Sequence, residues 1–135
     1  MGMTMKLTLD DNYFEIQDDL LVRCRGTAVI GNMPDRVTRI GKGAFRDCMA
    51  EELDLTNSNV CLIDEEAFFL NDSLRKVILP KLDRIGADAF RDCENLRTVR
   101  FLGPVGEIEE QAFMGCRSLG DLHFPEVGKI GRWSF

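Results

Sequence analysis

A chain of 135 residues has room for one domain with a hydrophobic core. Its 17 basic and 23 acidic side chains leave a formal charge of −6, which repels phosphate backbones and argues against nucleic acid as a partner. No segment of the sequence reaches the roughly 20 apolar residues needed to cross a bilayer, so membrane insertion is also excluded.

Residues 1–36 precede a repeated pattern and contain three apolar segments, MKLTL, YFEI and LLVRCRG, which Asp- and Asn-rich turns separate. This arrangement predicts a short β-meander. Because a stack of repeats needs an end that shields its apolar layer from water, we predict that residues 1–36 form an N-terminal cap. The N-terminus has no apolar run of signal-peptide length, so we expect a cytoplasmic protein, or a cell-surface or secreted one if the chain belongs to a longer protein.

Residues 37–135 repeat with a period of 22 or 23 residues. Five isoleucines mark the period, and each is followed five residues later by a phenylalanine. These residues are Ile40, Ile63, Ile85, Ile108 and Ile130, with Phe45, Phe68, Phe90, Phe113 and Phe135. A unit of this size cannot enclose a core alone, so neighbouring copies must cover its apolar positions. The period therefore predicts a single solenoid of four units and a half unit.

Each unit is predicted to contain one strand and one short helical segment. In the third unit, the alternation TVRF at 98–101 has the period of two that places Val99 and Phe101 on one side of a strand. In AFRDC at 89–93, the Ala, Phe and Cys fall within one turn, which predicts one face of a short helix. The expected fold class is therefore α/β, with a parallel sheet and short helical segments.

Five cysteines form an odd number without a CxxC pair, so we expect free thiols. One position of the repeat reads Cys48, Asn71, Cys93 and Cys116. Cys and Asn are both small and able to hydrogen-bond backbone groups, which favours a structural ladder over a row of nucleophiles. With one histidine and no close cysteine pairs, we expect no metal site and no cofactor.

The motif I-G-x-x-A-F-x-x-C-x-x-L-x-x-V-x-F resembles the BspA-like class of leucine-rich repeats across residues 37–135. The resemblance implies a right-handed solenoid used for binding, often in surface proteins of bacteria, with no catalytic residues to carry over. The sequence departs from the motif in a shortened first repeat, in Asn71 for Cys, and in Trp133-Ser134 at the position of x-Ala.

The residues that alternate with the inward ones point outward, and stacked units set them into two rows. The first row is predicted to be Glu52, Lys76, Thr98 and Asp121, and the second Asp54, Ile78, Arg100 and His123. Mixed charges with one exposed apolar residue suit a protein ligand better than they suit lipid or phosphate.

The chain stops at IGRWSF, which begins a further unit without its strand. Either this is the front of a longer protein, or the half unit is a cap, or its open end pairs with another molecule. Because an uncovered strand edge and apolar layer favour association, the third case predicts an end-to-end homodimer through this half unit.

These patterns predict a non-enzymatic leucine-rich-repeat module that binds a protein through its sheet face. The alternative is a small acidic intracellular inhibitor or immunity protein that blocks a basic site on a toxin or enzyme. A third hypothesis, a cysteine hydrolase, expects a rapidly alkylated thiol. His123 and Asp121 resemble a base and its orienting carboxylate, but they lack a nucleophile if Cys116 points into the stack.

Overall fold

The protein is described here by a computed structural model that covers residues 4–9, 12–123 and 125–135. Its strands are β1 Thr4–Leu9, β2 Asn12–Gln17, β3 Leu20–Arg25, β4 Thr27–Ile30, β5 Arg39–Ile40, β6 Met49–Asp54, β7 Leu62–Ile63, β8 Lys76–Leu79, β9 Leu82–Ile85, β10 Thr98–Phe101, β11 Val105–Ile108, β12 Asp121–Leu122 and β13 Val127–Ile130.

The strands form two sheets that run along the solenoid. One is an eight-stranded sheet in the order β1-β2-β3-β5-β7-β9-β11-β13, and the other is a five-stranded sheet in the order β12-β10-β8-β6-β4. Strands β1, β2 and β3 pair antiparallel as a meander, whereas every later pair is parallel. The predicted parallel sheet is present as the five-stranded sheet, and the eight-stranded sheet is an addition that the sequence did not predict.

The N-terminal 36 residues contribute to both sheets. Strand β3 pairs in parallel with β5, and β4 pairs in parallel with β6. The apolar core therefore continues into this segment, where Phe14, Leu21 and Ile30 are fully buried. A capping role for residues 1–36 stays a prediction.

The helical segments predicted for each unit are wrong, because the described residues between the sheets form turns. In the third unit, the amides of Asp88, Phe90 and Asp92 donate to carbonyl oxygens of the next unit, over 3.1, 2.7 and 2.8 Å. Asp88 and Asp92 each have a φ of 58°, a left-handed conformation that interrupts an α-helix. Paired strands also set the layers about 4.8 Å apart. A helix roughly 10–12 Å wide does not fit that spacing, so the described fold is built from strands and turns.

The core is a stack of identical side chains from successive units. The ring centroids of Phe45, Phe68, Phe90 and Phe113 follow one another at 4.5, 4.4 and 4.9 Å, with interplanar angles of 16° or less. All four rings are at most 1% exposed. The layers approach so closely that a Cβ on Gly86 would lie 2.5 Å from the backbone nitrogen of Glu65, which explains the glycine at this position.

None of the described segments is a helix of the length and apolarity that crossing a bilayer requires.

Candidate functional site

The candidate site lies on the outer face of the five-stranded sheet. Its strands are half buried, and the alternation of side chains decides which residues face water. In β8, Val77 and Leu79 are buried, whereas Lys76 and Ile78 are partly exposed. The outward positions of these short strands therefore form the surface available to a partner.

The strand register sets the first predicted row of residues side by side. Glu52 pairs with Lys76, Lys76 with Thr98, and Thr98 with Asp121. The Nζ of Lys76 lies 3.9 Å from Oε1 of Glu52, and both side chains are more than a third exposed. An ion pair this long and this exposed contributes little to stability, so both charges are available for binding.

The second predicted row is only partly formed by strand pairing. Asp54 pairs with Ile78, and Ile78 pairs with Arg100. The pairing of β10 with β12 extends to Val99 and Leu122, so His123 lies directly beyond the paired segment. Asp54 is held locally, because its carboxylate accepts hydrogen bonds from the backbone amide and the hydroxyl of Thr56. These bonds keep the pKa of Asp54 below its usual value.

A recess of about 190 Å³ opens in this face at its C-terminal end. Five predicted residues from both rows line it, together with Val99. They are Lys76, Thr98, Arg100, Asp121 and His123. The structure therefore brings these five together around one depression, whereas Glu52, Asp54 and Ile78 lie outside the recess on the same sheet.

The recess brings two cations together on an acidic protein. Asp121 is the single carboxylate that lines the recess, and Lys76 also pairs with Glu52 just outside it. Within the described residues, the Arg100 side chain is exposed and has no ion-pair partner. On the eight-stranded sheet, by contrast, Arg84 lies 3.8 Å from Glu109, and Lys129 lies 3.9 Å from Glu107. Arg100 is thus the cation of the recess that has no acidic partner among the described residues.

Val29 is a residue of this surface that the sequence reasoning missed. It pairs with Glu52, which extends the first row by one strand, and its side chain is 53% exposed. The TAVI segment has the apolar character of a strand, but the repeat begins after residue 36 and so predicts a cap for residues 1–36. A β-bulge in β6 opposite β4 also breaks the spacing that would have revealed the match.

The cysteine ladder lies in the turns, away from the outer face. The thiols of Cys93 and Cys116 donate to the carbonyl oxygens of Phe68 and Phe90, each over 3.1 Å. Burial raises the pKa of Cys93, and it raises the pKa of Cys116 to about 12. Both thiols are therefore held protonated, which disfavours nucleophilic chemistry.

Asn71 takes the same place in its layer and makes more bonds. Its Nδ2 donates to the carbonyl oxygens of Phe45 and Cys48 at 2.7 and 3.2 Å. Its Oδ1 accepts from the amides of Ser73 and Leu74, both at 2.9 Å. The side chain is 2% exposed. The amide thus replaces the thiol donor and additionally closes the turn.

Cys48 differs from the other thiols of the ladder. A hydrogen bond from the Cys24 thiol lowers the pKa of Cys48 to about 7 and raises that of Cys24. However, the Cys48 side chain is only 4% exposed, and a reactive thiolate needs access as well as ionisation. Among the residues that the structure covers, no cluster of His, Cys, Asp and Glu is arranged to hold a metal ion.

The C-terminal layer of the solenoid is less covered than the layers before it. Phe135 stacks on Phe113 at 4.9 Å but is 43% exposed. Ile130 and Trp133 are 52% and 62% exposed, although the isoleucines in the equivalent earlier positions are fully buried. This layer is the surface to which the sequence assigns an end-to-end homodimer.

The chain is similar to known repeat proteins in sequence and in structure. The family described as "BspA type Leucine rich repeat region (6 copies)" matches residues 5–135. No curated protein matches the chain.

Two solved structures are similar to this chain. A leucine-rich repeat protein from Bacteroides ovatus ATCC 8483 has 26% identity and a TM-score of 0.55, over 77% of this chain and 33% of that chain. A leucine rich cell surface protein from Faecalibacterium prausnitzii A2-165 has 21% identity and a TM-score of 0.55, over 97% of this chain and 52% of that chain. The chain thus spans about a third and about half of these two proteins.

Proposed function

Because the chain belongs to the BspA-type leucine-rich repeat family, we propose that it is a non-enzymatic module that binds a protein through the outer face of its five-stranded sheet. The observation that carries this proposal is the pair of rows on that face. Their residues differ from layer to layer in charge and polarity, although the strands that hold them repeat in register. Such a mixed surface can set the register of one partner and reject others.

The binding surface combines charge with apolar contact. Lys76, Arg100 and Asp121 supply charges around the recess, and Ile78 pairs with Arg100 on the neighbouring strand. Val29 adds an exposed apolar side chain at the other end of the first row. An apolar contact beside a polar rim is the usual composition of a transient protein interface.

Photo-crosslinking from the two sheets tests this proposal. A photoreactive amino acid at position 98 should yield a protein adduct in an extract of the source cell, whereas the same group at position 107 of the eight-stranded sheet should not. Reversing both cations, Lys76→Glu with Arg100→Glu, should abolish the adduct and leave the circular dichroism spectrum unchanged. The matched control is Arg84→Glu with Lys129→Glu, which changes the net charge equally on the other sheet. Adducts that survive the first reversal but not the second would move the binding site to the eight-stranded sheet.

The inhibitor or immunity role stays the alternative, and it follows from the formal charge of −6. An acidic inhibitor that blocks a basic site loses affinity steeply with added salt. A crosslinked adduct that disappears as salt is raised, and that survives reversal of Lys76 and Arg100, would favour this alternative over the proposed module.

The cellular location of the protein is a separate hypothesis. The Faecalibacterium prausnitzii protein is described as a cell surface protein, and we extend this location to the present chain as an alternative to the cytoplasm. Brief protease treatment of intact source cells distinguishes the two, because only a surface protein is cleaved while a cytoplasmic marker stays intact.

A further inference from the structure

We propose that the recess on the five-stranded sheet binds one acidic side chain, an aspartate or glutamate, from an extended segment of the protein partner. This inference rests on the proposed function, since it names the chemistry that the same sheet face recognises. Its basis is the placement of Lys76, Arg100 and His123 around one depression that Thr98 and Asp121 complete.

The unpaired charge of Arg100 favours a monoanion. Lys76 and Arg100 are the two basic residues of the lining, Asp121 is its single carboxylate, and Glu52 outside the recess lies 3.9 Å from Lys76. Because Lys76 pairs with Glu52, Arg100 is the cation of the recess that has no acidic partner among the described residues, and one carboxylate neutralises it. A dianion such as a phosphate would add a second negative charge beside Asp121 and within a chain whose formal charge is −6.

Arg100 supplies the geometry for a carboxylate. Its guanidinium is a planar fork that can donate two parallel hydrogen bonds to the two oxygens of one carboxylate. In the described part of the chain, no acidic side chain pairs with Arg100, although Arg39, Arg75, Arg84 and Arg91 all have acidic neighbours within 4 Å. The guanidinium of Arg100 is therefore available to a ligand at the recess.

The remaining donors are side chains, because the strand backbone is occupied. The backbone of β10 pairs with β8 over all four of its residues, and with β12 at Thr98 and Val99. Capture of a C-terminal carboxylate usually uses backbone amides arranged as a nest, which a paired strand cannot offer. Thr98 and His123 add a hydroxyl and an imidazole to the lining. The donor set thus favours an acidic side chain over a chain terminus.

The size of the recess agrees with this assignment. Its volume of about 190 Å³ is below the roughly 300–1,000 Å³ that pockets for small-molecule ligands occupy. A single side chain from an extended segment fills such a depression, while the rest of the segment contacts the outward residues of neighbouring strands. Ile78 pairs with Arg100 and offers the adjacent apolar contact.

Titration with three peptides tests the inference. The probe is a pentapeptide with one central glutamate flanked by valines, blocked by an N-terminal acetyl group and a C-terminal amide. The second peptide has glutamine in place of glutamate, and the third is this glutamine peptide with a free C-terminal carboxylate. Binding is followed by NMR through the imidazole of His123, the only histidine of the chain, and the side-chain N–H of Arg100. We expect both signals to shift with the glutamate peptide, at a Kd of about a millimolar, and not with the other two.

Variants of the full chain separate the recess from general charge attraction. Arg100→Gln should lower the affinity for the glutamate peptide about tenfold or more, because a charge-assisted hydrogen bond is lost. Arg100→Lys should retain part of this affinity. The matched control, Arg84→Gln on the eight-stranded sheet, removes the same charge and should leave binding unchanged. Circular dichroism checks that each variant is folded.

Three outcomes overturn the inference. They are equal weakening by Arg100→Gln and Arg84→Gln, selective binding of the peptide with the free terminus, and tighter binding of inorganic phosphate than of the glutamate peptide. If none of the peptides binds while the crosslink at position 98 persists and is lost on charge reversal, the carboxylate assignment fails and the proposed function stands. If the crosslink is also absent, both fail.

Discussion

The stacked phenylalanines and the outer rows of the five-stranded sheet belong to the same units, but they repeat in different ways. Phe45, Phe68, Phe90 and Phe113 are chemically identical and nearly parallel, with centroids 4.4 to 4.9 Å apart. The outer row changes from Glu52 to Lys76, Thr98 and Asp121, although its strands are paired in register. A position that keeps the same residue in every layer is constrained by packing in the stack. A position whose residue varies between layers is available for specific contacts with a partner. Substitutions inside should therefore cost stability, and substitutions outside should change binding.

Phe90→Ala should have the largest effect on stability. The ring is fully buried between Phe68 and Phe113, so its loss leaves a cavity that two rings border. We expect the free energy of unfolding to fall by about 3–5 kcal/mol, measured by urea denaturation. The control is Phe135→Ala, whose ring is 43% exposed and should cost only about 1 kcal/mol. Equal losses of unfolding free energy at the two positions would contradict the view that burial within the stack determines how much each phenylalanine stabilises the fold.

Asn71→Ala should have the second largest effect. It leaves the carbonyl oxygens of Phe45 and Cys48 and the amides of Ser73 and Leu74 without their present partner in a buried turn. We expect a loss of about 2–3 kcal/mol in the same denaturation experiment. Asn71→Cys, which restores the residue of the other layers, should lose less because a thiol can still donate to Phe45. A cysteine variant no more stable than the alanine variant would contradict the equivalence of the ladder positions.

The C-terminal layer exposes apolar side chains whose equivalents are buried in the earlier layers. If its apolar side chains join two copies end to end, light scattering should show a dimer whose fraction rises with protein concentration. Ile130→Glu should then yield a monomer, since Ile130 is 52% exposed in this layer. Val29→Glu is the matched control, because Val29 is 53% exposed at the opposite end of the solenoid. A wild-type protein that stays monomeric at high concentration would remove the homodimer.

Alkaline pH should weaken the buried cysteine ladder. Burial raises the pKa of Cys116 from an ordinary value of 9.0 to about 12. The unfolded thiol ionises first, so the stabilisation by the protonated buried thiol is complete below pH 9.0 and is lost as the pH rises towards 12. We expect the urea midpoint to fall between pH values of about 8 and 10.5. The midpoint of Cys116→Ala should fall less over this range, and identical pH profiles would contradict the assignment.

Exchanging two residues of the outer row should have the smallest effect on stability. Glu52→Lys combined with Lys76→Glu retains the pair but reverses its direction across β6 and β8. Because both side chains are exposed, we expect the free energy of unfolding to change by no more than about 0.5 kcal/mol. The crosslink from position 98 should nevertheless weaken, since the partner meets the opposite charge at Lys76. A large loss of stability would show that this row is structural.

Much of the architecture could be read from the repeat itself. The isoleucine and phenylalanine series identified buried positions, and the alternation in TVRF identified a strand, because side-chain direction follows from local backbone geometry. The helix prediction failed at AFRDC because spacing within one turn cannot distinguish a helix from consecutive turns that bond to the next unit. The distinction depends on the distance between layers, which no single unit contains.

The sequence by itself determined the period, the inward residues, and most of the outward residues that share a row, because each is a consequence of a short pattern repeated in register. Only the tertiary structure decided that a second sheet takes the place of the helices, that Val29 extends the first row, and that five of the eight predicted surface residues border one recess. It also separated paired from unpaired cations, leaving Arg100 open while Arg84 and Lys129 have acidic neighbours. The reason is physical, because pairing and enclosure depend on which units lie beside one another and at what distance.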